Sequence, residues 1–404
     1  MIREGDMPTY VVELARPVPA AHGEQLARRV YYLAPDIDTF DLVHHGDEVV
    51  GVRVTTTGDA DPAMLARRLD EVNDAEVRPQ RLVTPEVAWR SPHAVEPADG
   101  VFDALVTGGI VHQMGDGAIA VGPPFTTVLA ALDARVTRIA VERFGAVEYR
   151  YPTLISTDTL RRGGYLNSFP QLIMSAGRLC ADIDVYRAFV AALERGDDPA
   201  NLLQRYGTHT GYCLPPTMCF HTYKQFSGQT LPVGTTVITA RGKSFRFESR
   251  YHRSLERLWD FTIREIVVIS DEASAAGIRA EMLAAACELA EELGLAGTAE
   301  SAEDPFFAGP AVPRRALAQR LNRLKYELRL PAEQGRMISV ASFNVHGTTF
   351  GEPYGILLPD GAIAHTACAG FGLERLTFAF FCRYGADIAG WPARLRAEML
   401  GDPR

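Results

Sequence analysis

The chain has 404 residues, of which 47% are hydrophobic and 23% are charged, and its formal net charge is −9. This length predicts two to three domains, and the composition is typical of a globular protein with a large core. The acidic charge argues against DNA or tRNA as the main partner, because proteins that bind nucleic acids usually carry a basic surplus. The sequence has neither an apolar run of the roughly 20 residues that cross a membrane nor the apolar stretch of a signal peptide. The six dispersed cysteines predict a reducing cytoplasm rather than a disulfide framework.

The first 92 residues are predicted to form a small α+β domain. A strand-like segment, "TYVVELARPV", is followed by the helical spacing of "AAHGEQLARRVYYLA" and by a hairpin with Gly46 and Asp47 at its turn. The segment "DPAMLARRLDEVNDA" then begins with Asp-Pro, which is typical of a helix start. This β-α-β-β-α order resembles much of a ferredoxin-like sandwich. We interpret the domain as a packing or dimerisation module without chemistry, and residues 93–100, with Pro, Gly and charge, as a linker.

Residues 101–404 are predicted to form a second domain around a largely antiparallel sheet. A long helix ends near Gly145 and passes into a strand interrupted by Pro152. Further along the chain, the predicted strands are "TTVITARGKSFRFESRY", "LWDFTIREIVVIS", "MISVASFNVHGTTF" and "EPYGILLP", and the predicted helices are "DEASAAGIRAEMLAAACELAEELGL" and "ERLTFAFFCRYG". This arrangement is an α+β fold with helices flanking a sheet, and it lacks the strict βαβ alternation of a Rossmann fold.

Two predicted neighbouring strands carry arginines. In "FRFE", Arg246 and Glu248 share one face of the predicted strand, because side chains repeat every second residue. On the returning strand, Arg257 and Phe261 share a face. Arginines that project from a sheet suit a polyphosphate, since each guanidinium can donate two parallel hydrogen bonds. The other interpretation is a surface ladder of salt bridges.

A third segment, "HTACAGFGLER", brings a thiol, two glycines and an arginine close together. Gly370 and Gly372 would let backbone approach a nucleotide, and Arg375 would supply charge and cation–π stacking. The long helix with Pro152, then "FRFE" with "RLWDF", then "GFGLER" resemble motifs 1, 2 and 3 of the class II aminoacyl-tRNA synthetases. The resemblance implies the fold of that class, a homodimer formed through motif 1, and a site for ATP.

The same resemblance implies a role for each matched residue. Arg246 would hold the α-phosphate of ATP, and Phe261 would stack on adenine. Arg375 would cover the other face of the ring and reach the γ-phosphate. Glu248 would help to hold Mg²⁺, and Arg257 belongs to the same predicted nucleotide site. The predicted catalytic residues are Arg246, Glu248 and Arg375.

Three possible metal ligands lie far apart along the chain at Cys219, Glu265 and Cys368. Zinc (Zn²⁺) prefers thiolate, imidazole and carboxylate, and a catalytic zinc site keeps one position open. This Cys…Glu…Cys set resembles the zinc site of archaeal-type seryl-tRNA synthetases and of amino acid:[carrier protein] ligases, which implies that the open position takes the α-amino group of the substrate. The alternative is that each cysteine is a buried small apolar residue.

Several segments over about residues 100–395 are similar to the amino acid:[carrier protein] ligases: "GGYLNSFPQL", "CFHTY", "KYELRLP", "SFNVHGTTFG" and "HTACAGFGLER". The resemblance implies that ATP activates a small amino acid, which then passes to the phosphopantetheine thiol of a carrier protein. The acidic charge and the predicted N-terminal domain favour loss of tRNA charging. Other functions stay open: a seryl-type tRNA synthetase, an inactive synthetase-like regulator, or adenylate transfer to a small-molecule amine.

The expected magnesium ligand before motif 3 departs from the synthetase pattern. Seryl-tRNA synthetases offer a glutamate on that strand, but the matching place here falls at Ile338 or Ser339. Either Glu327 or Glu352 compensates, or Mg²⁺ binding relies on Glu248 and water, since Mg²⁺ keeps several waters in most sites.

Two further predictions concern the amino acid and the carrier. Asn344 and His346 are predicted to line the substrate pocket on one face of a strand, with a structural histidine as the alternative for His346. A basic segment would dock an acidic carrier protein or would simply be a solvated helix face. Its basic residues are Arg314, Arg315, Arg320, Arg323 and Lys325. His252 and the arginines of "RYHRSLER" would meet ATP or the carrier, or would be solvated loop charges.

Overall fold

The computed structural model describes residues 7–80, 84–94, 97–248, 254–304 and 322–400. The strands in these ranges are β1 (Thr9–Pro19), β2 (Ile37–His45), β3 (Glu48–Thr56), β4 (Val87–Arg90), β5 (Val111–Gly115), β6 (Ala118–Val121), β7 (Val147–Tyr149), β8 (Ile155–Ser156), β9 (Ser175–Leu179), β10 (Gly207–Cys213), β11 (Thr236–Phe245), β12 (Asp260–Ser270), β13 (Thr298–Ser301), β14 (Lys325–Pro331), β15 (Met337–Gly347) and β16 (His365–Gly372). The α-helices are α1 (Gly23–Val30), α2 (Pro62–Val72), α3 (Val101–Thr107), α4 (Phe125–Phe144), α5 (Thr157–Arg162), α6 (Tyr165–Ser168), α7 (Ile183–Glu194), α8 (Pro199–Tyr206), α9 (Cys219–Gln225), α10 (Glu272–Glu292), α11 (Gly351–Tyr354), α12 (Leu373–Tyr384) and α13 (Ala393–Leu400).

The N-terminal strands form an antiparallel sheet of order β1-β3-β2. The predicted hairpin is confirmed, because β2 and β3 are joined through Gly46, whose φ of 60° suits a residue without a side chain. Helix α2 begins after Asp61, whose side chain accepts a hydrogen bond from the backbone N–H of Ala63. The unit has its own buried core, to which the sheet and both helices contribute Val12, Leu26, Val52, Leu65 and Leu69.

The β-α-β-β-α order matches the predicted one, but the next strand does not join this sheet. Strand β4 pairs with β13, with Arg90 opposite Thr298, at the edge of the large sheet. The predicted division into residues 1–92, 93–100 and 101–404 stays a prediction. However, β4 lies within the predicted N-terminal domain, residues 1–92, and pairs with the main sheet of the predicted second domain.

In the described ranges, eight strands form the main sheet in the order β4-β13-β14-β15-β16-β12-β11-β7. All neighbours are antiparallel except β7 and β11, so the predicted α+β arrangement with a largely antiparallel sheet is confirmed. Helices α4, α10 and α12 bury one face of this sheet. Helix α4 ends as predicted, because Gly145 takes the left-handed conformation with φ of 63°. Helix α10 begins after Asp271, which accepts a hydrogen bond from the backbone N–H of Ser274.

The motif 2 arginines lie just outside the predicted strands. Strand β11 ends at Phe245, so the prediction that Arg246 and Glu248 share a strand face is wrong. The backbone N–H of Arg246 still donates to Trp259 O at 3.0 Å, and that of Phe247 then turns to Leu172 O at 3.1 Å, which ends the ladder. Strand β12 begins at Asp260, so Arg257 precedes the strand that carries Phe261.

The prediction of a strand at "EPYGILLP" is also wrong. The short helix α11 covers its beginning, and Gly355, with φ of 64°, ends that helix. Leu357 then forms only isolated bridges, to Thr230 and Ile363. Local β propensity is overridden here because the segment turns back on itself before it can pair.

The second face of the main sheet carries a separate core and a large opening. Phe220 and Tyr223 of α9 pack on Val267 of β12 and on Tyr354. Because side chains alternate between the faces of a strand, residues such as Ile266 enter the helical core, whereas Val267 and Glu265 point to the opposite side. None of the helices in the described ranges combines the length and apolar character that crossing a membrane requires.

Candidate active site

A cavity of about 950 Å³ lies over the second face of the main sheet. Its size is in the range of pockets that hold small ligands. Residues that the sequence analysis assigned to ATP, to the amino acid and to the metal all line this one cavity. They are Cys219, Arg246, Glu248, Arg257, Phe261, Glu265, Asn344, His346, Cys368, Gly370, Gly372 and Arg375.

Strand register brings residues that are distant in the chain into one floor. Glu265 on β12 lies opposite Gly370 on β16, which in turn lies opposite Ser342 on β15. In the next row of the same face, Cys368 lies opposite Asn344. Because alternate residues of a strand share a face, Cys368 and Gly370 lie on the same side as Glu265.

Arginines line the nucleotide end of the cavity. The guanidinium of Arg246 stands 5.3 Å from the ring centre of Phe261, a cation–π contact. Arg257 and Glu248 form an ion pair of 2.7 Å between Nη1 and Oε2. Burial and the positive charges of Arg257 and Arg246, opposed by Glu248, together lower the pKa of Arg375 to about 10. This concentration of positive charge suits a polyphosphate.

Two carbonyl groups orient the side chain of Arg375. Its Nη1 donates to Ser339 O at 3.1 Å, and its Nε donates to Glu256 O. Helix α12 starts immediately before it, at Leu373, so the arginine belongs to the first turn of a helix anchored in the buried core. The guanidinium is therefore held in place before any ligand binds.

The two glycines of the third segment are not equivalent. A methyl group at Gly370 would meet Ile263 Cδ1 at 3.2 Å and Glu265 Oε1 at 3.5 Å, so a side chain there would press on the ends of these two side chains. A methyl group at Gly372 would meet nothing closer than 3.9 Å. The approach of the backbone to a nucleotide stays a prediction for both glycines.

Cys219, Glu265 and Cys368 come together in the wall of the cavity. The thiols of Cys219 and Cys368 lie close enough to interact with each other, and both cysteines are buried. Glu265 is also buried, with 3% of its surface exposed. This burial and the nearby Cys368 raise its pKa to about 7, against the opposing hydrogen bond from Thr217. Its Oε1 accepts a hydrogen bond from the hydroxyl of Thr217, whereas Oε2 is buried without a partner in the described part of the chain.

This donor set fits a zinc ion in its chemistry. Two sulfur atoms and a carboxylate are typical zinc ligands, and a buried carboxylate oxygen without a hydrogen-bond partner suits a cation. Among the residues that the structure describes, no group of three or more His, Cys, Asp or Glu side chains is positioned to hold a metal ion. Zinc binding therefore stays a prediction, now supported by the proximity of Cys219, Glu265 and Cys368.

Asn344 and His346 share one face of β15, as predicted for a strand, and both contact the thiol of Cys368. Asn344 Nδ2 donates to its Sγ over 3.5 Å, and His346 Nε2 lies 3.7 Å from the same sulfur. His346 Nδ1 lies 3.2 Å from the hydroxyl of Thr366. Groups that hold a metal ligand in this way orient it and tune its charge, so His346 has a supporting role beside its place in the cavity wall.

The acidic residues considered for Mg²⁺ differ in position. Glu327 lines the cavity, lies opposite Ser342 on β15 and forms an ion pair of 3.0 Å with Lys325. Glu352 is exposed on α11 and does not line the cavity. Ser339 lines the cavity, but its carbonyl oxygen accepts a hydrogen bond from Arg375. Of the two compensating acids, the geometry favours Glu327.

The predicted basic docking segment is only partly described. Arg314, Arg315 and Arg320 lie outside the described residues, as does His252. Arg323 is exposed and forms an ion pair of 2.6 Å with Glu86. For Lys325 the docking prediction is wrong, because its side chain is buried and bound to Asp304 at 2.7 Å, a consequence of its inward position on β14.

The sequence analysis missed several residues of the cavity wall. Tyr165, on α6, lines it with 7% of its surface exposed, and its hydroxyl is without a hydrogen-bond partner among the described residues. Its segment, "GGYLNSFPQL", was among those similar to the ligases, so a signal existed. Thr217 lies two residues before the predicted ligand Cys219, so the sequence also offered a signal for it. The N-terminal residues Gln25, Arg28 and Tyr32 line the cavity with no comparable signal in the sequence.

Comparison with known proteins agrees with this fold. In structure, the chain is similar to the M. kandleri SerRS bound to A. aeolicus tRNASec, with a TM-score of 0.68 and 22% identity over 97% of this chain and 76% of that one. It is also similar to the cytoplasmic serine-tRNA ligase of Naegleria fowleri in complex with AMP, with a TM-score of 0.57 and 11% identity over 84% and 71% of the two chains. The chain therefore has the fold of the class II aminoacyl-tRNA synthetases.

Sequence relatives narrow this class. Amino acid–[acyl-carrier-protein] ligase 1 of Bradyrhizobium diazoefficiens is 31% identical over 331 residues, which cover 79% of this chain and 94% of the relative. Ligase 2 of the same organism is 30% identical over 314 residues, or 77% and 90% of the two chains. The type-2 serine–tRNA ligase of Methanothermobacter thermautotrophicus is 28% identical over 318 residues, 76% of this chain and 61% of that protein. No family model matches the sequence. The chain belongs to the amino acid–[acyl-carrier-protein] ligase family, which is a family of enzymes.

Proposed function

We propose that the enzyme activates a small amino acid with ATP to form an aminoacyl-adenylate, and then transfers the aminoacyl group to the phosphopantetheine thiol of a carrier protein. One observation carries this proposal. The predicted nucleotide arginines and the Cys219, Glu265 and Cys368 set line a single cavity, and Arg246 is near enough to Glu265 for its positive charge to act on that carboxylate. The family relationship supports the acceptor, since the sequence relatives are named as ligases of the acyl carrier protein.

In the activation step, an oxygen of the amino acid carboxylate attacks the α-phosphorus of ATP and pyrophosphate leaves. The chain contributes mainly by positioning the reactants and by neutralising charge. Arg246 would hold the α-phosphate, and the adenine would lie between Phe261 and the guanidinium of Arg375. Bound Mg²⁺ would add charge neutralisation at the phosphates, and Glu248 and Glu327 are the acids of the cavity that could hold it.

The amino acid would bind in the part of the cavity that is lined by the predicted metal ligands. Zinc, when held by Cys219, Glu265 and Cys368, would bind the unprotonated α-amino group of the substrate. Asn344 and His346 would keep the Cys368 thiol in its orientation. The carboxylate of the amino acid would then face the nucleotide, which is the arrangement that adenylation requires.

An aromatic cluster supports a small substrate side chain. Phe350 lines the cavity and stacks on Tyr223, with ring centres 4.4 Å apart. It also makes edge contacts with His346 at 4.9 Å and with Phe220 at 5.5 Å. These large rings occupy the space behind the predicted amino acid site, so we propose a substrate such as glycine or alanine.

In the transfer step, the phosphopantetheine sulfur attacks the carbonyl carbon of the adenylate. The bond from that carbon to the phosphate oxygen breaks, AMP leaves, and a thioester forms. The proton of the thiol leaves with solvent or with the departing phosphate. A cytoplasmic location is part of the same proposal.

A homodimer through the motif 1 region is part of the proposal. Strand β7 is an edge strand of the main sheet, and its Val147 and Tyr149 are 55% and 40% exposed. Leu154, just after Pro152, is 45% exposed. An apolar sheet edge left open in this way favours pairing with another chain. Sedimentation equilibrium of the purified protein would test the dimer.

ATP–pyrophosphate exchange with a panel of amino acids tests the function. We expect exchange that depends on a small amino acid, and elemental analysis should find about one zinc per chain. A second assay follows the aminoacyl thioester on a phosphopantetheine-bearing carrier protein, with bulk tRNA as the competing acceptor. Absence of exchange with every α-amino acid in zinc-supplied enzyme would reject the proposal, and charging of tRNA alone would favour a seryl-type synthetase instead.

A further inference from the structure

The N-terminal unit forms one wall of the catalytic cavity. Helix α1 and the turn after it face the main sheet, and the cavity is continuous between them. The contributing residues of the helix and of the turn after it are Glu24, Gln25, Arg28, Arg29, Tyr31 and Tyr32. A module concerned only with packing or dimerisation would not place so many polar side chains inside the cavity.

Contacts on both sides anchor this wall. Arg29 and Glu76 form a largely buried ion pair of 2.8 Å, which ties α1 to the turn after α2. Across the cavity, Gln25 Nε2 donates to Glu303 Oε1 at 2.9 Å. Strand β4 continues the attachment by pairing with β13, and the backbone N–H of Glu86 donates to Ser301 Oγ at 2.8 Å. The N-terminal unit is thus fixed to the sheet that bears the site.

The turn after α1 brings Tyr32 to the motif 2 acid and arginine. Tyr32, Glu248 and Arg257 line the same cavity. Tyr32 is 36% exposed, and the partial burial of its ring raises its pKa. The negative charge of Glu248 also raises this pKa, and the positive charge of Arg257 opposes the effect. The phenol therefore lies within electrostatic reach of both members of the Glu248–Arg257 ion pair. It stays neutral in this setting, so it can donate a hydrogen bond to an anion.

Arg28, in the same wall, interacts electrostatically with Glu327. Burial raises the pKa of Glu327, whereas its ion-pair partner Lys325 and, to a smaller extent, the positive charge of Arg28 lower it. Glu327 is the cavity acid that the geometry favours as a compensating Mg²⁺ ligand. The N-terminal unit therefore approaches the nucleotide end of the cavity at two separate acids.

We propose that the N-terminal unit is a functional wall of the ATP site, and that Tyr32 is a positioning residue that holds the Glu248–Arg257 pair in its ATP-binding arrangement. This inference rests on the proposed function and deepens it. It assigns the unit to the activation of the amino acid, not to the docking of tRNA or of a carrier protein. The two assignments predict different effects on the two half-reactions.

The test uses full-length enzyme supplied with zinc and Mg²⁺ and compares Tyr32→Phe and Tyr32→Ala with Tyr10→Phe. Tyr10 is a matched control, because it lies in the same unit, its hydroxyl accepts a hydrogen bond from the backbone N–H of Ala60, and it does not line the cavity. ATP–pyrophosphate exchange gives KM for ATP and kcat. Calorimetric titration with ATP and Mg²⁺ measures nucleotide binding without requiring adenylate formation.

We expect Tyr32→Ala to lower kcat/KM for ATP by about 5- to 30-fold, mostly through KM, and to weaken ATP binding in calorimetry. Tyr32→Phe should show part of this loss, Tyr10→Phe none, and KM for the amino acid should change little in all of them. Unchanged exchange with a slower transfer to the carrier would overturn the inference in favour of a docking module. If the wild-type enzyme binds ATP but catalyses no exchange, the proposed function fails, and the calorimetric ATP affinity still tests the role of Tyr32. Equal ATP affinity in Tyr32→Ala and in the wild type would overturn the inference.

Discussion

Replacement of Arg375 by lysine isolates the geometry of the guanidinium from its charge. The arginine donates to two backbone carbonyls, those of Glu256 and Ser339, and a single ammonium group on a flexible chain cannot reproduce this planar arrangement. A hydrogen bond from a charged group contributes about 1.5–3 kcal/mol. Loss of one such orienting bond in Arg375→Lys therefore predicts a fall of about 10- to 150-fold in kcat/KM for ATP.

The same variant has a distinctive pH dependence. Burial and the neighbouring cations lower the pKa of Arg375 from 12.5 to about 10, so the wild-type side chain stays charged through pH 9. The pKa of a lysine, ordinarily about 10.4, would be lowered in the same surroundings, because burial and the neighbouring cations penalise its charged form. The lysine cation is present below its folded-state pKa and is lost as the pH rises through it. The variant should therefore lose ATP affinity as the pH rises toward about 9.5, at a lower pH than the wild type.

The assay is ATP–pyrophosphate exchange from pH 6.5 to 9.5, with ATP varied at each pH. Arg383→Lys is the matched control, because Arg383 lies on the same helix, donates to Gly294 O at 3.1 Å and does not line the cavity. We expect the control to follow the wild-type profile. A KM for ATP in Arg375→Lys that equals the wild-type value at pH 7 and stays flat to pH 9 would refute the reasoning.

Three further predictions concern the metal, the substrate and the stability of the fold. Cys368→Ser should lose the bound zinc in elemental analysis, whereas Cys382→Ser, also buried but in the helical core, should retain it; equal zinc in both would contradict the proposed ligand set. Phe350→Ala should raise exchange with valine or leucine relative to alanine, because it removes the ring that walls the site, and an unchanged preference would argue against that wall. Arg264→Ala should lower the free energy of unfolding by about 1.5–3 kcal/mol in urea titration, because the buried Asp133 loses bonds of 2.7 and 2.9 Å and keeps only the one of 3.0 Å from Arg241; a change below about 0.5 kcal/mol would count against this.

Local chemistry explains which elements could be predicted. Asp61 and Asp271 cap the helices that follow them, and Gly46 and Gly145 turn the chain where only glycine is unstrained. The alternation of "SFNVHG" on β15 predicted a shared face for two pocket residues. These features depend on neighbours within a few positions, which a single sequence contains.

The strand ends of motif 2 and the segment after α11 were predicted less well. Arg246 keeps one ladder bond to Trp259 O before the backbone turns away toward Leu172. Leu357 has the apolar character of a strand residue but finds only isolated bridges. In both cases the end of the strand depends on which distant backbone is available as a partner, and local propensity carries no information about that partner.

By itself the sequence determined the α+β class, the order of the nucleotide motifs and the identity of the metal-ligand candidates, because residue type, spacing and resemblance are properties of the chain. Tertiary structure decided which side chains meet. The register of β12 and β16 places Glu265 on the same face as Cys368, and an inward position on β14 buries Lys325, which had been assigned to a docking surface. The attachment of the N-terminal unit brings Tyr32 to the cavity. Such meetings depend on contacts between segments far apart in the chain, and no local pattern encodes them.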